Sequence, residues 1–148
     1  MYDFRISGVN DTVRPSASTK RPRDFQRSKV YSWQQAVFGR PTEKLTLEQC
    51  TELAEKICGF KVVVKDGRGR RKACAYQGSR TISLPKWARN ERVVIHECAH
   101  LLTGQEYASH GAQYMKVYIE LLEKYGPTSG LPYDLTECAK RHGLKVAE

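Results

Sequence analysis

Four histidines occur in this 148-residue chain, and three of them, His96, His100 and His110, fall within fifteen residues. His96 and His100 are four apart, so on a helix their imidazoles stand one turn apart on the same face, where both can reach a single metal ion. Glu97 follows the first of them and would sit beside that metal. Two imidazoles with an acid between them, His96-Glu97-Cys98-Ala99-His100, is the layout of zinc ligands with a general base, the chemistry of metal-assisted hydrolysis.

A catalytic zinc takes three protein ligands and leaves a fourth position open. His110 is the favoured third ligand, because it follows a short connection and heads a second apolar-periodic segment. Its rivals are Glu120 and Glu123, carboxylates further along that segment. A helix rises about 1.5 Å per residue, so Glu120 would lie roughly 15 Å beyond His110 and past the level of His96 if the two helices are antiparallel. A tetrahedral oxyanion needs a donor besides the metal. Tyr107 and Tyr114, flanking His110, are the candidates, with a packing role as the competing reading.

The spacing has meaning only on a helix, and the local signals for one are present. Asn90 is an N-cap, Glu91 places an acid in the first turn, and Val94, Cys98, Leu101 and Leu102 recur at helical spacing before Gly104. This predicts a helix over 91–103. Ser109 would cap a second helix running to Tyr125 and ended by Gly126-Pro127, with Tyr114, Val117, Tyr118, Leu121 and Leu122 as its stripe.

These residues carry a resemblance. His96-Glu97-Cys98-Ala99-His100, a short spacer and His110-Gly111-Ala112-Gln113-Tyr114 resemble the HExxH…HGxxF/Y signature of SprT-like zinc metallopeptidases and of small zincin-like proteins in phage and bacterial genomes. The similarity spans 45–125. It implies an α+β, zincin-like fold, Zn²⁺ as cofactor, Glu97 as catalytic base and a protein or peptide substrate. It further implies that the strand just before the zinc helix, Thr81 to Leu84, forms the edge of the cleft on which a substrate strand pairs. The spacer is shorter than in SprT proper and no cysteine-rich zinc ribbon follows, so the chain looks like a minimal relative. The metzincin pattern does not fit: Thr103 stands where that motif has Gly, and Glu106 where it has His.

The remaining elements read as a support for that pair of helices. Val30, Trp33 and Val37 recur at helical spacing within 28–38 until Gly39-Arg40-Pro41. Thr46 and Gln49 form a capping box that opens a helix with Leu47, Cys50, Leu53, Ala54 and Ile57 on one face, ended by Gly59. Phe60 to Lys65 is Val-rich and reads as a strand; Ala73–Gln77 and Arg80–Leu84 read as a hairpin across Gly78-Ser79. The expected architecture is a three-stranded sheet packed on a covering helix and the HExxH helix, followed by the helix that brings the third ligand. A last short helix, 134–142, would end in an exposed His142.

Length predicts one domain, 29–148, preceded by a basic arm over 1–28 with little to bury. The formal net charge of +9 points to an anionic partner, with nucleic acid the usual one, and a merely soluble basic protein is the competing reading. The basic turn containing Arg68, Arg70, Arg71 and Lys72 is its candidate contact in the folded part, and a solvated hairpin tip is the competing reading. No apolar run is long enough to span a membrane. Five scattered cysteines without a CxxC pair fit a reducing cytoplasm, the host's if the chain is phage-encoded. Three functions remain open at this level: a zinc metallopeptidase, with proteins bound to nucleic acid as one substrate class; a zinc amidase acting on non-protein amides; and a non-catalytic DNA- or protein-binding module on the same scaffold.

Overall fold

The computed structural model describes residues 22–126 and 134–148. Most of the expected basic arm, and the Pro127–Tyr133 connection, lie outside the described residues. The elements are α1 (Arg27–Phe38), α2 (Leu47–Cys58), β1 (Val63–Asp66), β2 (Cys74–Tyr76), β3 (Thr81–Leu84), α3 (Glu91–Leu102), α4 (Ala112–Tyr125) and α5 (Leu135–Arg141), an α+β arrangement. The expected boundary at residue 28 falls inside α1.

Capping chemistry sets the helix starts. Thr46 and Gln49 form the reciprocal capping box of α2, at 3.0 Å and 2.9 Å. Asn90, buried, accepts from the Val93 amide at 3.0 Å and starts α3; such a cap is worth about 1 kcal/mol. Asp134 caps α5 through the Thr136 and Glu137 amides. Ser109 does not cap α4. That helix begins at Ala112 with Gly111 as its N-cap and no side-chain bond, because a tight turn closed by Gly111 N–H on the Ala108 carbonyl comes first. His110 therefore stands in a turn ahead of α4.

The sheet order is β1-β3-β2, with β1 parallel and β2 antiparallel to β3. The expectation that Thr81–Leu84 is the edge strand is overturned: β3 is the central strand. All four of its residues are buried, as befits a strand covered on both sides, whereas β1 is mostly exposed and β2 half-buried. The edge next to α3 is β2. Gly67 lets β1 end tightly against β3. Its N–H meets the Leu84 carbonyl at 2.9 Å, and a Cβ there would lie 2.6 Å from the Pro85 nitrogen.

Helix α3 packs between α2 and α4 and also touches β2. Its inner face (Val94, Ile95, Cys98, Ala99) joins Trp33 of α1, Cys50 and Ala54 of α2, and Tyr114, Tyr118 and Leu122 of α4 in one core. The segment ahead of α1 is tied to the one after α5: Gln26 exchanges two 3.0 Å bonds with the Lys145 backbone. All five cysteines are free thiols. Among the described residues no helix is long and apolar enough to cross a membrane.

Candidate metal centre

Helix α3 presents His96 and His100 one turn apart, and the turn before α4 brings His110 up to them. Ring centroids are 5.1 Å (His96–His100), 5.4 Å (His96–His110) and 4.6 Å (His100–His110). One nitrogen from each ring lies within 4.8 Å of the others. Tetrahedral zinc with bonds of about 2.0–2.1 Å needs nitrogens ~3.3 Å apart, which modest side-chain contraction supplies. The third member is thus His110. Glu120 and Glu123, on the exposed side of α4, are not in the group.

The donor set fits a metal on a second ground, the orientation of the rings. His96 is buried, and its Nδ1 donates to Oε1 of Gln34 on α1 at 2.5 Å. Its Nε2 is also buried and has no hydrogen-bond partner, a costly state for a ring nitrogen unless a cation takes its lone pair. His110 Nδ1 lies 2.8 Å from Oδ2 of Asp24, whose Oδ1 accepts from the His110 amide at 3.3 Å. A carboxylate only accepts, so Nδ1 carries the proton and the Nε2 lone pair is the one that can ligate. Helix α3 is closed at its end by Gln77, whose side-chain nitrogen donates to the carbonyls of His100 and Thr103.

Burial shapes the electrostatics. Desolvation, and then the neighbouring His100 and His110, hold His96 well below the usual imidazole range, so it is neutral as a ligand must be. Glu97 is 4% exposed, and burial pushes its carboxyl up to about 8. A dication in the three-histidine group would carry it back down.

Two cleft regions meet over these side chains. One, of about 730 Å³, runs from Glu97 and His96 past Tyr31 to Trp87, Arg40 and Phe25. The other, of about 460 Å³, runs over Cys74 and Ala75 of β2 to His100, Ser109 and His110. Asp24, Arg27, Tyr31, Lys72, Ala73 and Glu97 belong to both.

Neither expected oxyanion donor faces this cleft. Tyr114 is fully buried: its hydroxyl donates to the His96 carbonyl at 3.1 Å and its ring stacks on His100 at 4.4 Å. Tyr107 is 41% exposed and lines neither region. Of the basic turn only Lys72 reaches the cleft; Arg68, Arg70 and Arg71 stand exposed beside it. His142, at the end of α5, is exposed as expected, and its Nε2 lies 3.1 Å from the Ser32 hydroxyl.

Three residues at this centre, Asp24, Tyr31 and Gln34, come from a segment whose sequence reads only as basic arm and core-packing helix. Faint signals exist. Asp24 is the only acid between Asp11 and Glu43, and Arg27, Tyr31 and Gln34 share one face of α1 beside the Val30–Trp33–Val37 stripe.

Compared with known proteins, the chain matches no family model, no curated protein and no solved structure.

Proposed function

We propose that this chain is a zinc-dependent metallopeptidase. The observation that carries the reading is the convergence of His96, His100 and His110 beside a buried Glu97, at the meeting point of two cleft regions and next to an edge strand. Zinc held there would supply Lewis-acid polarisation of the scissile carbonyl and a water acidic enough to lose a proton near neutral pH. Asp24 and Gln34 hold the ligand tautomers of His110 and His96. Glu97 accepts the proton from the attacking water and returns it to the leaving amine.

An extended substrate adds to β2, whose Cys74 and Ala75 line the cleft beside His100 and His110. The resemblance assigned that role to the preceding-strand position of Thr81–Leu84, which is internal. Acting on nucleic-acid-associated proteins is a finer form of the same proposal. It is supported by the exposed Arg68, Arg70 and Arg71 standing next to Lys72 at the cleft.

The test has two stages. Elemental analysis of protein purified without added metal should find one zinc per chain, lost or much weakened in His110→Ala. A panel of unstructured proteins should then be cleaved by the wild type and spared by Glu97→Gln. Zinc without cleavage across the panel would favour an amidase acting on non-protein amides; a binding function left intact by Glu97→Gln would favour the non-catalytic module.

A further inference from the structure

Tyr31 is the tyrosine that meets the three-histidine centre from its open side. Its ring lies 5.4 Å from that of His96 and 5.5 Å from that of His110, and it belongs to both cleft regions. Unlike Tyr114 and Tyr118, which are enclosed in the core, it is 43% exposed. The groups acting on its hydroxyl are those of the cleft: Glu97 on α3, Cys74 on β2, and Arg27 one turn earlier on α1. Arg27 also lines both regions, so a phenol and a guanidinium stand together at the mouth of the centre.

We infer that Tyr31 and Arg27 form the oxyanion-binding pair of this centre, the site for the negatively charged tetrahedral oxygen that develops when water adds to a carbonyl. The inference rests on the hydrolytic reading above. When the water oxygen bonds to the carbonyl carbon, its proton passes to Glu97 and the carbonyl π pair moves onto oxygen. Tyr31 O–H donates a hydrogen bond to that oxygen without losing its proton, and the Arg27 charge stands behind it. Collapse returns the pair to the carbonyl, breaks the C–N bond and delivers the Glu97 proton to the nitrogen. An aromatic ring is not needed for that work, but a hydroxyl is. A Tyr31 that merely packs on His96 would be replaced by Phe at no cost, which separates the two roles.

The test uses the zinc-loaded full chain and phenylphosphonate, a small tetrahedral oxyanion, titrated calorimetrically into wild type, Tyr31→Phe, Arg27→Gln and, as control, Tyr125→Phe at the far end of α4 from His110. The expected result is a dissociation constant raised about tenfold or more in Tyr31→Phe and in Arg27→Gln and unchanged in Tyr125→Phe. Zinc content and melting temperature should be the same in all four. If a cleaved peptide is found, Tyr31→Phe should lower kcat about a hundredfold with little change in KM. Equal phosphonate affinity in wild type and Tyr31→Phe overturns the pair, as does a wild type that binds none. Absence of peptide cleavage with the phosphonate pattern intact would instead remove the peptidase reading and leave the oxyanion site standing.

Discussion

Replacing Asp24 is the most discriminating single perturbation of the candidate metal centre. Its carboxylate holds His110 twice, through Nδ1 at 2.8 Å and the backbone amide at 3.3 Å, and the His110 side chain is only 7% exposed. In Asp24→Ala both donors lose the Asp24 acceptor, and the carboxylate that fixes the His110 tautomer is gone. Loss of such an outer partner weakens metal binding about 10- to 100-fold, or about 1.4–2.7 kcal/mol. Asp24→Asn keeps one acceptor oxygen but no charge, so its loss should sit near the lower bound. The assay is competition for zinc against a chromophoric chelator of known affinity, with His142→Ala as the control remote from the centre. Zinc affinity within twofold of wild type in Asp24→Ala would refute the reasoning, because His110 would then be oriented by something other than Asp24.

Glu97 makes a pH-dependent prediction for the metal-free protein. Its folded carboxyl is raised from 4.5 to about 8, so the unfolded chain releases this proton first and stability falls as pH rises from about 4.5 through 8. Glu97→Gln should therefore stabilise the metal-free chain at pH 7 by an amount on the order of 3 kcal/mol and by little at pH 4.5; chemical denaturation with chelator present reads this, and equal stabilities at pH 7 would contradict it. Burial of His96 acts at the other end. Held below 6.5 in the fold, it withdraws stability as pH falls below about 6.5, and a His96→Gln variant should flatten that limb of the same denaturation series. For the scaffold, Gly67→Ala forces backbone apart at Pro85, since a Cβ would lie 2.6 Å from its nitrogen, and should cost about 1–3 kcal/mol; a denaturation midpoint unchanged from wild type would show that β1 and β3 can separate there freely.

Local patterns carried a large part of this protein. The α3 cap at Asn90, the capping box at Thr46 and Gln49, and the four-residue spacing of His96 and His100 are properties of one helix turn, and they hold wherever that helix is placed. The apolar stripes of α2 and α4 are equally local, and they announce an α+β core without its topology. His110 was legible as the third member of the histidine group from type and proximity, although it stands in a turn and not on the helix it precedes.

Strand order was not legible. Hairpin chemistry pairs β2 with β3, but nothing within either strand says that β1 will add to the far side of β3; the burial of Thr81 to Leu84 on both faces does, and burial is a property of the assembled sheet. The partners of the clustered histidines were hidden for the same reason. Gln34 reaches His96 across 62 residues of chain and Asp24 reaches His110 across 86. What the sequence determined by itself is the set of groups whose relative positions a single helix dictates, the His96–Glu97–His100 unit. What only the tertiary structure decided is which distant side chains hold, cover and face that unit, because those contacts are made by packing between elements and no local periodicity encodes them.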